Sequence, residues 1–579
     1  MLNFENLKNL KKHIKYLQNK LNKNDVFLVG GCIRDILLNI EKDPKDIDIA
    51  TNGQPKNIYR QINKNDISIF KTDKFGTITI IPHKKTKQKN PTQYELTPFR
   101  QEWDYADFRH PEKINRTNDI IQDSKRRDFT INCIYYYFFE YWIKHKQPQK
   151  LKDKNQLQKI LTKNWFVFIQ DKSLLILQDK QLIAKVFEKW KLKKEELKKL
   201  QEKNSFFCIE DTQASFQWLQ ILIDPWWGIQ DIINTKIKAV WEPDDRLQED
   251  ALRIIRWARI PNILNQKIEK NTQTKSHIQT FDYDTPTWIS MKKNFYLVQF
   301  VAKERIKEEI KKAFKNDNPF GFISIIDELN IIKFLFPSLY LTKWNKQPVR
   351  YHAFDTFTHT LLSLYHIQKI NKDYLVKLSI LYHDVGKPNQ YYYASIPGIP
   401  KEEIRKMHWS YLHHAISWQQ IAEKEFKKLW FSKKEFEQIW FYIRQHLVMW
   451  ELLDSKPENV PKKIKKMLSQ FWYQKLQNLI DITIADRQWQ YNPLQSDNIS
   501  SLKELKKLVK EIYEKQGEFC IKNLAINWND IIKNLSISPW PEVGEQLDNA
   551  FNWVLQDIKN RNYKQKIIKY LQKQQKNNL

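Results

Sequence analysis

The chain has 579 residues, which is too long for one hydrophobic core, so several domains are expected. Its formal net charge of +30 favours a polyanionic partner such as RNA, although AT-rich coding would also enrich lysine throughout the chain. The four cysteines lie far apart with no paired spacing, so the sequence indicates neither a disulfide framework nor a zinc knuckle. The first residues lack a signal-peptide core, and the longest apolar run, 131–143, is shorter than the roughly 20 residues of a membrane span, so a cytoplasmic protein with no membrane partner is expected.

Residues 1–25 carry apolar side chains at helical spacing, which predicts an amphipathic helix that packs on the domain after it. A short apolar strand, 26–29, then ends in Gly30-Gly31 and is followed by an apolar helical run that contains Arg34. A glycine pair before a helix offers backbone N–H groups to a phosphate. Gly31 and Arg34 are therefore candidate nucleotide-binding residues.

The next strand presents two aspartates, Asp46 and Asp48, in the sequence DIDIAT. Residues two apart in a strand point to the same face, so both carboxylates project together while Ile47 and Ile49 face a core. Two adjacent carboxylates repel each other unless a cation lies between them, and Mg²⁺ binds one or two carboxylates together with phosphate oxygens. The pattern predicts metal-dependent nucleotidyl or phosphoryl transfer. A solvated edge strand is the alternative for a D-x-D pair on its own.

The motifs GGCIRD and DIDIAT together resemble the nucleotidyltransferase head of the class II tRNA nucleotidyltransferases (CCA-adding enzymes) and of the bacterial poly(A) polymerases. The resemblance implies an α+β fold, with a small mixed-sheet head followed by a helical neck, an HD domain and a helical C-terminal region. It also implies that Asp46 and Asp48 are catalytic and hold Mg²⁺. The expected boundaries are 1–140 for the head, 224–343 for the neck, 344–490 for the HD domain and 491–579 for the C-terminal, tRNA-binding region.

Two features complete the predicted head. Glu95 falls on a neighbouring strand, where it is either a third carboxylate beside the metal pair or a surface glutamate. Residues 99–125 show no clear period and are predicted to form a loop over the active site. This segment resembles the flexible element with which CCA-adding enzymes change from C to A addition, so its presence favours an enzyme that adds A.

The sequence RRDFTIN at 126–132 is close to the family motif RRDFTINA. Guanidinium groups suit a triphosphate because they stay charged and donate paired hydrogen bonds. We therefore expect Arg127 to bind the triphosphate and Asp128 to lie near the ribose or the arginines. A surface charge cluster is the alternative.

Residues 141–223 depart from the family, in which only a short hairpin separates this motif from the next. The segment includes a Lys/Glu-rich helical stretch at 185–203. An accessory RNA-binding lobe and a solvated helical insertion are both consistent with its composition.

Residues 246–259 resemble the family motif R-F-x-E-D-P-L-R-I-L-R-A-x-R-F and are predicted to form one helix. Asp250, Arg253 and Arg256 recur every three residues and would share one face. The resemblance implies that Asp250 and Arg253 pair with the edge of the incoming base in place of a nucleic-acid template. It also implies that Arg256 and Arg259 hold phosphates. A salt-bridged surface helix is the alternative.

A second constellation resembles the H…HD…D set of the HD phosphohydrolase superfamily. It implies a divalent metal site, and imidazole ligands favour a transition metal such as Mn, Ni or Fe. His413 and His446 either bind a second metal or lie on a helix surface. The implied activity is phosphatase or cyclic-phosphate hydrolysis at RNA ends. The predicted ligands are His359, His383, Asp384 and Asp486.

Tryptophan is unusually frequent and glycine unusually rare, with 21 and 10 residues, whereas glycine usage averages about 7%. Several tryptophans stand where the family pattern has glycine, which tolerates backbone conformations that an indole-bearing residue does not. We hypothesise that UGA encodes glycine in the source organism; independent drift to tryptophan is the alternative. The positions are Trp103, Trp227, Trp241, Trp418, Trp489, Trp528 and Trp540.

Together these motifs predict an enzyme that adds CCA to the 3′ ends of tRNA, with tRNA, CTP and ATP as partners. A poly(A) polymerase or an A-only tRNA nucleotidyltransferase is the first alternative, because those heads share the same motifs. A metal phosphohydrolase acting on RNA ends through the HD domain, with an inactive head, is the second. The sequence does not predict an oligomeric state.

Overall fold

A computed structural model describes the chain in segments, and the structural statements below concern these residues. The chain divides into two compact units, 1–302 and 303–579, and each is described by itself. The described residues are 2, 5–21, 26–61, 67–71, 77–82, 92–105, 111–141, 174–177, 217–271, 280–316, 318–345, 354–387, 419–446, 448–453, 455–488, 495–517, 519–537 and 541–577.

The first unit is built on a mixed eight-stranded sheet whose strand order is β3-β4-β5-β2-β1-β8-β10-β9. Strand β2 is antiparallel to β1 and parallel to β5. Hairpin β6-β7 and the short pair β11-β12 lie outside this sheet. The strands are β1 (Val26–Val29), β2 (Asp46–Thr51), β3 (Ile67–Lys71), β4 (Ile78–Pro82), β5 (Gln93–Pro98), β6 (Arg100–Tyr105), β7 (Pro111–Arg116), β8 (Tyr135–Tyr141), β9 (Leu174–Leu177), β10 (Gln217–Ile223), β11 (Lys236–Ile237) and β12 (Asp282–Tyr283).

Helices surround this sheet, and the predicted N-terminal helix is confirmed as a 3₁₀ turn, Glu5–Leu10, followed by an α-helix. Its apolar side chains at 7, 10, 14, 17 and 21 are fully buried, as their spacing predicts. The α-helices of this unit are α1 (Lys11–Lys20), α2 (Gly31–Leu37), α3 (Pro55–Gln61), α4 (Ile120–Lys125), α5 (Gly228–Ile233), α6 (Pro243–Glu249), α7 (Leu252–Asn271) and α8 (Thr285–Asn294), with 3₁₀ helices at Thr130–Asn132 and Phe295–Phe300.

The prediction of a loop over 99–125 is wrong, because the segment forms hairpin β6-β7 and then helix α4. Arg100 pairs with Arg116 and Tyr105 pairs with Pro111. Hairpin β6-β7 is not part of the main sheet. Its sequence is polar at most positions, so it lacks the alternation of apolar and polar residues that predicts a strand.

The prediction of one helix through 246–259 is also wrong. Helix α6 ends at Glu249, and Asp250 adopts an extended backbone with φ −143° and ψ 97°. The Asp250 carboxylate accepts the N–H of Leu252 at 3.1 Å, which satisfies a donor at the start of α7. Aspartate favours such local bonds to the backbone, and they interrupt a helix that the apolar pattern alone would continue.

Two segments of the predicted insertion contribute strands to the head sheet. Strand β10 pairs along its whole length with β8, and β9 lies parallel to β10 at the sheet edge. Residues 142–173 and 178–216, which include the Lys/Glu-rich stretch at 185–203, lie outside the described residues.

The second unit is helical throughout the residues that the structure describes. None of the described helices in either unit is both long and apolar enough to cross a bilayer. The sheet-containing first unit and this helical unit confirm the predicted α+β class. The α-helices are α9 (Lys303–Lys315), α10 (Pro319–Glu328), α11 (Ile332–Leu335), α12 (Pro337–Leu341), α13 (Thr356–Ile370), α14 (Tyr374–Tyr382), α15 (Gln419–Lys428), α16 (Lys433–Gln445), α17 (Val448–Leu453), α18 (Val460–Phe471), α19 (Tyr473–Arg487), α20 (Gln495–Gln516), α21 (Trp528–Leu535), α22 (Glu542–Val554), α23 (Ile558–Arg561) and α24 (Lys564–Asn577).

Candidate active site and candidate metal centre

Strand β2 carries the two candidate catalytic aspartates on its open face. Asp46 and Asp48 are exposed, whereas Ile47 and Ile49 are buried, as the alternation predicts. In the register with β5, Asp48 lies opposite Glu95. The predicted strand position of Glu95 beside the aspartate pair is therefore observed.

The turn after β1 brings backbone directly against Asp48. Gly30 has a φ of 85°, and a Cβ atom placed on it would lie 2.7 Å from Oδ2 of Asp48. Only glycine combines this φ with so close an approach at little cost. The glycine pair thus lets the carboxylate and the start of α2 lie side by side.

The carboxyl group of Asp48 has a raised pKa of about 6. The main cause is the surrounding protein, which limits hydration of the charged form, and the neighbouring carboxylates of Asp46 and Glu95 add to it. Arg127 acts in the opposite direction. Accumulated negative charge of this kind favours binding of a divalent cation.

A pocket in the first unit is lined by Asp48 together with five arginines. Backbone N–H groups, guanidinium groups and carboxylates share one cavity, and such a donor set suits a nucleoside triphosphate. The residues that line it are Gly30, Gly31, Asp48, Arg100, Arg126, Arg127, Asp128, Asn132, Asp250, Arg253 and Arg256.

Asp123, which is fully buried, orients the arginines of the RRD motif. Its carboxylate accepts hydrogen bonds from Arg126 Nε at 2.8 Å, Arg127 Nη2 at 3.2 Å and the Tyr135 hydroxyl at 2.8 Å. These partners lower the pKa of Asp123 against the opposing effect of burial. Arg127 also donates from Nε to the Tyr135 hydroxyl at 2.9 Å. One buried anion thereby holds both guanidinium groups at the pocket.

Asp128 joins the RRD motif to helix α7. Its carboxylate accepts from Arg253 Nε at 3.2 Å and pairs with Arg256 Nη2 at 2.7 Å. Arg253 is buried and also donates to Glu249 at 2.9 Å and to the carbonyls of Arg246 and Arg126. The prediction that Asp128 lies near the arginines therefore agrees with the observed positions.

The pocket is lined by six of the predicted residues, Gly31, Asp48, Arg127, Asp250, Arg253 and Arg256, whereas Arg34, Asp46 and Glu95 are not among its described lining residues. Arg34 is buried and pairs with Asp35 at 2.6 Å, and its Nη1 donates to Asn132. Asp35 also pairs with Lys267 of α7 at 2.8 Å. Arg34 and the half-buried Arg259 are not among the described residues that line the pocket. Arg34 thus contacts Asn132, a lining residue of the pocket, without lining the pocket itself.

Four residues of the site were not singled out from the sequence: Arg100, Asp123, Arg126 and Asn132. Asp123 precedes Arg126 and Arg127 by three and four positions, which is the helical spacing of an ion pair and could have indicated its role. Arg100 lies in the segment that was predicted as a loop, so its position carried no such signal.

The HD residues of the second unit form a buried cluster, as their order in the sequence predicts. His359 Nε2 lies 2.8 Å from Oδ1 of Asp486 and 3.8 Å from Oδ2 of Asp384. His383 Nε2 lies 3.3 Å from both of these carboxylates. Ligand atoms of His359, His383 and Asp384 all lie within 4.8 Å of one another, which is compatible with one metal ion.

Hydrogen bonds orient the ligands of this cluster. His383 donates from Nδ1 to the carbonyl of Ile380 at 2.7 Å, which leaves Nε2 directed at the carboxylates. His446 makes the same contact with Ile443, and its ring lies 5.5 Å from that of His383. His413 lies outside the described residues.

The charges of the cluster fit a divalent cation. Burial would lower the pKa of His383, but the adjacent carboxylates of Asp384 and Asp486 raise it to about 10. The pKa of Asp486 is held well below its ordinary value by the two histidines. Two buried carboxylates that require a protonated imidazole can equally be neutralised by a metal ion that displaces this proton. The head and the HD domain thus both present donor sets for divalent cations.

Three family models match successive parts of the chain. They describe the poly A polymerase head domain (residues 26–153), the probable RNA and SrmB-binding site of polymerase A (residues 280–341) and the HD domain (residues 356–487).

Several curated relatives are CCA-adding enzymes. The enzyme of Limosilactobacillus reuteri is 27% identical over 296 residues, which are 51% of this chain and 47% of the relative. That of Lactobacillus delbrueckii subsp. bulgaricus is 38% identical over 110 residues, or 19% of this chain and 25% of the relative. The chain thus matches about half the length, or less, of these curated relatives.

A solved structure supports the fold alone. The CCA-adding enzyme of Bacillus stearothermophilus in complex with CTP has a TM-score of 0.54 at 15% identity, covering 99% of this chain and 97% of that chain. The chain thus carries, in this order, a segment that matches the poly A polymerase head domain, one that matches the RNA-binding segment of polymerase A and one that matches the HD domain.

Proposed function

We propose that the protein adds CCA to tRNA 3′ ends without a nucleic-acid template, using CTP and ATP. The observation that carries the proposal is that the Asp48 carboxylate and five arginines line one pocket. The relatives named as CCA-adding enzymes support this choice within the family. The cytoplasm, where tRNA is processed, is the proposed location.

In the proposed reaction, the tRNA 3′-hydroxyl attacks the α-phosphorus of the nucleotide and pyrophosphate leaves. Arg127, oriented by Asp123 and Tyr135, holds the triphosphate together with the N–H groups at Gly31. Asp46 and Asp48, with Glu95 as a third carboxylate, would hold Mg²⁺, which supplies charge stabilisation for the attacking and leaving oxygens when bound.

For base selection we propose Asp250, at the break between α6 and α7, and Arg253, in the first turn of α7, which line the same pocket. Arg253 is held by Asp128, Glu249 and two carbonyls, so its guanidinium group is pre-oriented. A fixed donor beside an acceptor is what the edge of C or A requires. Arg256 would bind phosphate, and we assign the same role to Arg259.

The test is addition to tRNA that lacks CCA, with CTP alone, ATP alone and both nucleotides. A CCA-adding enzyme extends this tRNA with CTP alone and completes CCA with both. A poly(A) polymerase or an A-only enzyme leaves the tRNA unextended by CTP. The variant Asp48→Asn should abolish extension, and Asp282→Asn is the control, because Asp282 is exposed and absent from the pocket lining.

A second activity is favoured by the buried HD cluster. We propose that His359, His383, Asp384 and Asp486 hold one transition-metal ion and hydrolyse phosphate esters at RNA ends. His446, beside His383, is a candidate ligand for a second ion. The variant Asp384→Asn should abolish phosphatase activity and leave CTP addition intact, whereas Asp46→Asn should do the reverse. If Asp384→Asn abolished all activity and Asp46→Asn abolished none, the result would favour the alternative in which the head is inactive.

A further inference from the structure

Five tryptophans of the described chain adopt a left-handed backbone, which residues with a Cβ atom rarely occupy. In an L-residue other than glycine this conformation places Cβ against the backbone, and β-branched or bulky residues are outliers there. Their φ values are 62° at Trp227, 66° at Trp241, 59° at Trp344, 62° at Trp430 and 65° at Trp472. The other non-glycine residues with positive φ are Asn39, Thr235, Asn330 and Ser536, all of them small and polar.

The same five tryptophans are the exposed ones among the described side chains. Their exposed fractions range from 41% at Trp227 to 78% at Trp344. The other tryptophans whose side chains are described have ordinary φ values and are buried or half-buried. Trp257 is fully buried, for example, and Trp553 stacks on Tyr570 with ring centroids 4.5 Å apart. The five tryptophans with a strained backbone are therefore the same ones whose side chains are exposed.

At Trp430 the local motif is one that glycine normally completes. After helix α15, the N–H of Trp430 bonds to the carbonyl of Lys427 at 2.9 Å, and that of Phe431 bonds to the carbonyl of Phe426 at 3.0 Å. The rings of Phe431 and Phe426 are 5.1 Å apart. These are the two bonds and the apolar contact of a Schellman helix end, whose left-handed position is usually glycine.

Two other helices end with the same pair of bonds, and there the left-handed residue is Asn39 after α2 and Asn330 after α10. Asparagine is the usual substitute for glycine in this conformation. The chain therefore follows the ordinary rule at these ends, and Trp430 departs from it.

Trp472 departs further from the rule. It is the single residue between helices α18 and α19, with φ 65° and ψ 147°. This conformation borders a region of backbone space that is essentially restricted to glycine.

We propose that these five residues are glycines in the cellular protein, because the source organism reads the codon UGA as glycine rather than tryptophan. The family pattern selected Trp227 and Trp241, and the backbone adds Trp344, Trp430 and Trp472 without reference to any motif. At Trp103 and Trp528 the φ values are ordinary, so the backbone adds no support for glycine there. The other three predicted positions, Trp418, Trp489 and Trp540, lie outside the described residues.

Glycine at 241 changes the edge of the active site. The Trp241 ring lies 5.1 Å from Lys125 Nζ and 5.9 Å from the ring of Trp226. Lys125 immediately precedes Arg126, which lines the pocket. With glycine at 241, the Lys125 ammonium loses this ring and is available to RNA phosphate.

The first test reads the gene and the protein from the source organism. We expect UGA codons at positions 227, 241, 344, 430 and 472, UGG codons at Trp226, Trp257, Trp288 and Trp553, and glycine in the corresponding native peptides. UGG at the five strained positions, or tryptophan in the native peptides, would overturn the proposal. Neither result depends on the proposed enzymatic function.

The second test compares full-length Trp430→Gly, Trp430→Ala and the unchanged chain by thermal unfolding. Glycine relieves the backbone strain and alanine does not, so we expect the glycine variant to melt about 2–4 °C above the alanine variant. Trp553→Gly is the matched control and should lower Tm, because it removes a stacked ring. Equal Tm values for the two variants at 430 would overturn the proposal. Weaker tRNA binding by the variant with glycine at all five positions would also overturn it.

Discussion

The Nε2 atom of His359 lies 2.8 Å from Oδ1 of Asp486, although the two residues are 127 positions apart in the chain. Both side chains are buried, and Asp486 also contacts His383. Helices α13 and α19 are thus joined by a buried contact between an imidazole and a carboxylate. Such a contact is costly to break because the remaining charge stays buried.

Removing that charge should destabilise the metal-free protein. We expect Asp486→Asn to lower the free energy of unfolding by about 3–5 kcal/mol at pH 7, measured by urea denaturation after chelation. The surface variant Asp282→Asn is the control. An unchanged urea midpoint for Asp486→Asn would contradict the buried pairing.

The pH dependence of the metal-free protein follows from His383, whose folded pKa of about 10 exceeds the ordinary value of 6.5. The stabilisation from protonated His383 is complete below pH 6.5 and is lost as the pH rises towards 10. We expect the decrease in Tm over this range to be smaller in Asp486→Asn. Mn²⁺ or Ni²⁺ should raise Tm and release protons, detected by calorimetry in two buffers.

Asp48 should show a pH dependence of the same sign in a more acidic range. Its folded pKa of about 6 exceeds the ordinary 3.8, so the group favours folding at acidic pH, and this contribution is lost as the pH rises from 3.8 to 6. At pH 7.5 without divalent cations, Asp48→Asn should therefore stabilise the protein by about 1 kcal/mol. Solvent screening keeps the gain below what the shift alone would give, because this carboxylate is exposed.

The same variant should lack nucleotide addition, and addition by the unchanged enzyme should fall below pH 6 as Asp48 is protonated. Loss of both stability and activity in Asp48→Asn would indicate a structural role for the carboxylate instead.

Two glycine-to-alanine variants test the packing of the head, and a third, in the second unit, is their control. A Cβ at Gly30 would meet Asp48 at 2.7 Å with φ 85°, and one at Gly228 would lie 2.2 Å from the carbonyl oxygen of Thr130. Both variants should lose about 1–3 kcal/mol of stability, and Gly30→Ala should also lose nucleotide addition. Gly544 in α22 has open space around it, so Gly544→Ala should be neutral or stabilising.

Two arginines that share Asp128 should differ in their effects. Arg253 is buried, and Arg253→Ala should cost about 3 kcal/mol of stability because Asp128 and Glu249 lose their buried donor. Arg256 is 37% exposed, so Arg256→Ala should mainly raise the KM for nucleotide. Urea denaturation and initial rates with CTP separate these outcomes, and equal stability losses would show that the two contacts are equivalent.

Local patterns in the sequence predicted which side chains of single strands and helices are buried. The alternation in β2 predicts which side chains face the open side, and the helical spacing in α1 predicts its buried stripe. The HD motif also predicts a cluster that the structure assembles from distant helices. The roles of individual site residues remain predictions.

Features that depend on tertiary partners could not be predicted in this way. The motif placed Arg34 beside the phosphate, but buried Asp35 and Asn132 engage it instead. The break at Asp250 depends on one side chain bonding to the backbone rather than on apolar periodicity. The joining of β9 and β10 to the head requires long-range pairing, for which local composition carries no signal.

The ion pair between Lys267 and Asp35 gives helix α7 two anchors on the head. Near its first turn, Arg253 and Arg256 pair with Asp128. About four turns later, Lys267 pairs with Asp35 of α2, the helix that follows the glycine pair. A helix rises by about 1.5 Å per residue, so these anchors are roughly 20 Å apart along α7, with Pro261 between them. We expect a tilt of α7 to displace both Asp250 and Arg253, which we propose to select the base, and the turn at Gly30-Gly31, which we propose to bind the triphosphate.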